Sequence, residues 1–193
     1  VTSLAPAAKE SEPQKEIPEG GRLVVAIATP LGGVDPVNME LIEEQEILAN
    51  VFETLLATDL EGNLIPSLCE KWEVSEDGTS VSFALRERVC FQDGHSMDAE
   101  SVKNSFERSI RVARELPPGF AAIRGASEFP KSNDTELPSI LVKAEYKLEI
   151  QLSEPLSIYP ALLTDFKTGV TLSGSNEMTK PSIPIGTGPF RIT

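Results

Sequence analysis

The single histidine, His95, follows Asp93 by two residues and directly precedes Ser96. A hydroxyl, an imidazole and a carboxylate are the parts of nucleophilic catalysis, in which the imidazole takes the hydroxyl proton and the carboxylate orients the ring. Here all three crowd into one turn, Phe91-Gln92-Asp93-Gly94-His95-Ser96. That spacing reads as the approach to a capped helix, with Ser96 as the cap, and no enzyme is inferred from it. Asp59-Leu60-Glu61-Gly62-Asn63 has a faint calcium-loop form without the closing Glu, so it reads as a hairpin turn. Gly186-Thr187-Gly188-Pro189-Phe190 lacks the Gly-Lys-Ser/Thr of a phosphate loop. One histidine supplies too few ligands for a metal site, and no cofactor is expected. Cys69 and Cys90 are an even pair that an oxidising compartment would allow to join. Geometry decides such a bond, and the alternation after Val89 turns Cys90 outward.

Thirty acidic against 17 basic side chains leave a net charge of −13, which repels phosphate backbones and argues against a nucleic-acid partner. Hydrophobic residues at 40% and charged residues at 24% place the chain with globular proteins. No apolar run approaches the length of a membrane span. Residues 1–20 are rich in Ala, Glu, Pro and Lys without periodicity and read as a linker, partly disordered. With no apolar signal segment after Val1, any export signal is removed or lies upstream. The linker fits a mature exported protein and a domain cut from a longer polypeptide equally.

The elements that position these residues are legible from pattern. Leu23–Ala28 is a continuous apolar run, the mark of a strand buried on both faces, followed by a Pro/Gly loop from Thr29 to Gly33. Asn38 is read as the N-cap of a helix over Glu40–Leu56, with Glu43 and Glu44 near its positive pole and its last turn open to unwinding into a strand Thr54–Thr58. Pro66–Lys71 is read as one helical turn. Trp72–Val74 and Val81–Leu85 alternate as strands around an Asp77-Gly78 hairpin turn. The next helix carries the stripe Val102, Phe106 and Ile110, with Arg108, Arg111 and Arg114 as solvated surface near its negative end. Residues 115–139 form a long loop with a short helical piece near Ala121–Phe129. Ile140–Ala144 and Tyr146–Leu152 pair as strands, and Leu156–Leu163 is a short helix. Val170–Leu172 and Phe190–Thr193 are further strand candidates around a polar loop, Ser173–Pro184. The fold class is α/β, with mixed, mainly antiparallel sheets and flanking helices.

In order along the chain, LLATDLEGNLIPSLCEKWEVSEDGTSVSFALR, FQDGHSMDAESV, IRGASEF, LEIQLSEP and GTGPF resemble the extracellular solute-binding proteins of ABC importers, in the peptide/nickel class known as family 5. The resemblance runs from Leu23 to Thr193. It implies the first-lobe portion of a type II-like periplasmic binding protein fold. Residues 21–50 and 173–193 would be main-lobe segments and 51–172 a small second domain, with the second lobe absent from the chain. It implies a periplasmic or extracellular protein that binds a peptide or another small solute without chemistry and hands it to a membrane permease. Cys69 falls where the family usually has a small buried residue, which favours a free thiol. Trp72, Asp77, Gly78, Phe91, Asp93 and Gly94 become turn-and-core residues. Gly186, Thr187 and Gly188 become a crossover needing permissive backbone angles. The loop Thr29–Asn38 faces the cleft of the resembling fold, making Thr29, Leu31 and Gly32 ligand candidates through their backbone groups. Met39 is either an adaptable apolar wall or core packing. The alternative function is a sensor or interaction domain fused through the linker to a signalling protein.

Overall fold

The computed structural model describes Ala26, residues 32–172 and residues 184–192. The expected linker, the strand Leu23–Ala28 apart from Ala26, and nearly all of the loop Ser173–Pro184 lie outside the described residues. A 3-10 turn, Pro36–Asn38, is followed by α1 (Ile42–Leu48), β1 (Leu56–Thr58) and β2 (Leu64–Pro66). Then come β3 (Cys69–Val74), β4 (Ser80–Leu85), α2 (Ala99–Val112), α3 (Pro118–Ala121), β5 (Ile140–Ala144), β6 (Lys147–Gln151) and α4 (Tyr159–Leu162). β1 and β2 form a two-stranded sheet, and four strands form an antiparallel sheet in the order β3-β4-β6-β5.

Period-two alternation builds the larger sheet. Val81, Phe83 and Leu85 of β4 and Leu148 and Ile150 of β6 are buried, while Ser82 and Lys147 face solvent. The register sets Phe83 between Trp72 and Leu148, so all three share a face. Trp72, on an edge strand, is half-buried against that core. The Asp77-Gly78 turn joins β3 to β4 as expected. Gly78 has φ +69°, and the Asp77 carboxylate accepts from Ser75 Oγ (2.7 Å) and the Thr79 N–H (3.0 Å). Those bonds, the Ser75 hydroxyl first, hold its pKa down to about 2.

The buried sheet face packs on α2, whose Val102, Phe106 and Ile110 are wholly inaccessible. Each such side chain contributes about 2 kcal/mol relative to exposure. Phe106 meets Phe120 of α3 edge-on, with ring centroids 5.0 Å apart. Asp98, not Ser96, caps α2: its carboxylate accepts the Ser101 N–H (2.7 Å), and Ser101 Oγ accepts the Asp98 N–H (2.9 Å). Ser96 is still engaged in the corner, bridged to Cys90 and flanked by Phe91 N–H to His95 C=O and Met97 N–H to Val89 C=O.

Other expectations shift for physical reasons. The stretch Pro66–Lys71 is not helical: a bend at Ser67-Leu68 joins the end of β2 to the start of β3, where the Ser67 and Cys69 N–H groups both pair with Leu55 C=O and the Leu68 N–H with Thr54 C=O. The helical piece after α2 sits earlier, at Pro118–Ala121, where Pro118 is preset for a first helical position. The helix expected over Leu156–Leu163 is confined to Tyr159–Leu162. Val170–Leu172 contributes a single bridge, Leu172 to Ile185, and Phe190–Ile192 is not a strand. Both thiols are unpaired: Cys69 is buried, which pushes its pKa up to about 11, and Cys90 is exposed.

The helix expected over Glu40–Leu56 stops at Leu48, because the carbonyls beyond it serve another segment. Gly188 N–H donates to Val51 C=O (2.9 Å) and Phe190 N–H to Asn50 C=O (3.0 Å). Residues 184–190 thus form a strap laid against the turn that follows α1. Gly186 and Gly188 are required there by proximity and not, as expected, by backbone angle, since neither has a positive φ. A Cβ on Gly186 would stand 1.9 Å from the Val51 carbonyl oxygen, and one on Gly188 2.7 Å from that of Asn50. Gly186→Ala is therefore expected to cost about 3 kcal/mol. Gly33→Ala, whose added methyl meets nothing within 4 Å, is expected to stay within about 0.5 kcal/mol. Urea midpoints of the two variants, compared with the parent, check this; equal midpoints would refute the packing account.

Candidate functional site

The short stretch from Gly32 to Leu41 borders a cleft of about 300 Å³ lined by Gly32, Gly33, Asp35, Asn38, Glu40, Leu41, Glu44 and Arg114. Of the sequence-derived ligand candidates, Thr29 and Leu31 lie outside the described residues, and Gly32 lines the cleft. Met39 is buried in a cluster with Leu48, Val51, Phe52 and Phe166, which is the core-packing alternative.

Glu44 organises this stretch. It sits in the first turn of α1, yet its carboxylate reaches back: Oε1 accepts the Gly32 N–H (2.7 Å), and Oε2 accepts the N–H groups of Glu40 (3.0 Å) and Leu41 (3.1 Å). Glu44 is only 4% exposed, so these bonds replace its water. The reach to the Leu41 N–H is half of a capping box, and it moves the helix start to Ile42. Asn38, expected as the N-cap, instead closes the 3-10 turn, whose own cap is Asp35 through the Val37 N–H. The bonds from Glu40 and Leu41, more than those from Gly32 and Gly33, hold the Glu44 pKa below its ordinary value against the opposing effect of burial.

The far end of α2 fixes the same stretch from the other side. Arg108 pairs with Asp35, and Arg114 Nη1 lies 2.9 Å from Glu40 Oε1. The Asn38 side chain donates to Val112 C=O (3.0 Å) and accepts the Arg114 N–H (2.8 Å), satisfying groups left over at the helix terminus. Arg111 stacks 3.8 Å above the Phe129 ring and donates to Asp134 C=O. The three arginines read as solvated surface are thus tethers. No spacing signal foretold the groups that their side chains hydrogen-bond, which lie 23 to 74 residues away in sequence. Glu44 had a signal, a Glu at the third helical position, but the expected helix start hid it.

Elsewhere, His95 Nδ1 lies 2.9 Å from Asp93 Oδ2 on an exposed turn remote in sequence from this cleft, with the His95 N–H also bound to Asp93 (3.1 Å). Gly94 there has φ +92°, and Phe91 is buried, as turn-and-core roles require. A larger hollow, about 510 Å³, lies on the open face of the main sheet among Lys71, Glu73, Lys147 and Glu149, over a floor that includes Ser82 and Ala84.

The fold, an antiparallel sheet packed against helices, matches that of known proteins. The pattern described as bacterial extracellular solute-binding proteins, family 5 Middle, matches residues 63–193, and the chain belongs to that family. It is 30% identical over 159 residues to the nickel-binding periplasmic protein of Escherichia coli (strain K12), covering 81% of this chain and 29% of that one. It is 29% identical over 136 residues to the periplasmic oligopeptide-binding protein OppA of the same organism, covering 67% and 25%. Among solved structures, the Escherichia coli murein tripeptide binding protein MppA superimposes with a TM-score of 0.67 at 25% identity, covering 82% and 33%. The peptide-binding pheromone receptor PrgZ superimposes with a TM-score of 0.71 at 23% identity, covering 86% and 34%. The chain therefore spans about a third of the length of the proteins it matches.

Glu44 generates a pH prediction. Because its folded carboxyl is more acidic than its unfolded one, the stability it contributes is present above about pH 4.5 and is lost as pH falls through the lower folded value. Glu44→Gln is expected to cost about 1–3 kcal/mol at neutral pH. The variant should also be less sensitive than the parent to acid below that range. Urea midpoints from acid to neutral pH test it; parallel curves for variant and parent would remove Glu44 from this role.

Proposed function

We propose that the polypeptide carrying this chain is the solute-binding component of an ABC importer, working outside the cytoplasmic membrane, in the periplasm or its extracellular equivalent. It holds a peptide or other small solute between two lobes, makes and breaks no bonds, and presents the closed form to a membrane permease. The family match over residues 63–193 carries this reading. The peptide-binding neighbours, whose fold overlays most of this chain, support a peptide as the solute.

In this reading residues 21–50 and 173–193 belong to the main lobe and 51–172 form the small domain beside it. The mixed buried cluster of Met39 and Leu48 with Val51, Phe52 and Phe166 supports close packing of the two. Thr29, Leu31 and Gly32 remain the proposed solute contacts. Gly32 does so through its carbonyl, since its N–H is held by Glu44.

Calorimetric titration of the complete polypeptide with trialanine, glutathione and Ni²⁺ tests the proposal. One class is expected to bind at roughly micromolar or tighter strength. The 193-residue chain alone is expected to show no saturation below about millimolar, because half of the contacts and all of the closure are missing. Tight binding by the chain alone would contradict the two-lobe mechanism. No binding of any class by the complete polypeptide would contradict the function.

A further inference from the structure

Gln92 is the one residue of the Phe91–Gly94 corner whose side chain the turn does not need. Gly94 supplies the positive φ, Asp93 takes the His95 N–H, and Phe91 fills the core. The Gln92 side chain leaves the corner altogether. Its Nε2 donates to the carbonyls of Val51 (3.0 Å), Gly188 (3.0 Å) and Phe190, while Oε1 accepts the Gly186 N–H (3.3 Å). Its backbone N–H donates to Gly186 C=O (3.0 Å). Two amide hydrogens are shared among three acceptors, and the Val51 oxygen also receives the Gly188 N–H. These partners lie 41 to 98 residues away in sequence, on two separate passages of the backbone.

We propose that Gln92 is a positioning residue, a clasp that locks the strap 184–190 and the turn at Asn50–Phe52 to the corner leading into α2, so that the three move as one body. The inference extends the proposed function and does not depend on it. α2 begins a few residues after Gln92 and ends at the Arg108, Val112 and Arg114 contacts to the cleft stretch. Fourteen helical residues span about 21 Å. One rigid helix, clasped at its start and tethered at its end, therefore fixes where the cleft stretch stands relative to the strap. The two strap glycines create the backbone proximity. Among the described residues, Gln92 supplies the only side chain that bonds to both backbone passages.

Amide hydrogen exchange distinguishes a clasp from general support of the fold. The reporters are the Gly188 and Phe190 N–H groups, bonded to Val51 and Asn50, and the Leu85 N–H at the end of β4, bonded to Tyr146 C=O in the turn between β5 and β6 (2.9 Å). In Gln92→Glu and Gln92→Met, which keep the length but lose the donors, the strap amides are expected to exchange about ten- to a hundredfold faster while Leu85 is unchanged. Unaltered strap protection, or equal acceleration at Leu85, would overturn the proposal. The parent protein in sub-denaturing urea gives a second test that needs no variant. The Gln92, Gly188 and Phe190 amides are expected to open together, with one urea dependence and below the opening of Leu85. Unrelated dependences among the three would equally overturn it.

Discussion

The direct hydrogen bonding of two backbone passages is the constraint on which this structure depends. Carbonyls at Asn50 and Val51 stop serving α1 and accept instead from Phe190 and Gly188. The arrangement exists because positions 186 and 188 lack a Cβ; a methyl at 186 would overlap the Val51 oxygen at 1.9 Å. Much else follows from that contact. It ends α1, directs the chain through the buried Phe52 and Leu55 into β1, and aligns the later strap with the earlier turn. Glycine here is a statement about distance, and reading it as backbone freedom misses its purpose.

From that contact the architecture is carried by α2. One face of the helix is the apolar stripe packed on the sheet, which ordinary amphipathic periodicity explains. Its polar face is equally committed. Lys103 and Glu107, both nearly inaccessible, fasten the segment at Glu136–Leu137: Lys103 bonds to Glu136, and Glu107 accepts the Leu137 N–H at 2.7 Å. Burying such charges is tolerable only because each has partners. Arg108 and Arg114 fasten the cleft stretch, and Arg111 holds Phe129 and Asp134 of the same loop as Glu136 and Leu137. The cleft stretch and the loop ahead of β5 are thus fastened by a single helix and its end.

This division explains what the sequence made legible. The hairpin at Asp77-Gly78, the corner at Gly94, the stripe on α2 and the alternation in β6 are local, because each is decided by residues within one turn or one strand. The helix boundaries, the role of the strap glycines and the partners of the arginines are decided by segments far away. A pattern of period 3.6 from Glu40 to Leu56 is real, since Leu48, Val51, Phe52, Leu55 and Leu56 are all buried. It reports burial, not helix, once tertiary bonds claim the carbonyls. The candidate site was legible only as a place, a Pro/Gly loop after an apolar run. Its organising residue, Glu44, was seen as a dipole partner and not as the acceptor of the loop's own donors.

That last difference changes what the cleft can offer. A glycine-rich loop after a strand ordinarily presents free N–H groups, and an anionic ligand would be the natural partner. Here the N–H groups of Gly32, Glu40 and Leu41 already converge on a buried carboxylate, whose negative charge stands where such a ligand's would. The exposed Glu40–Arg114 pair stands at the edge of the same cleft. Glu44 therefore builds the loop and occupies the place that an anion would otherwise take among these N–H groups.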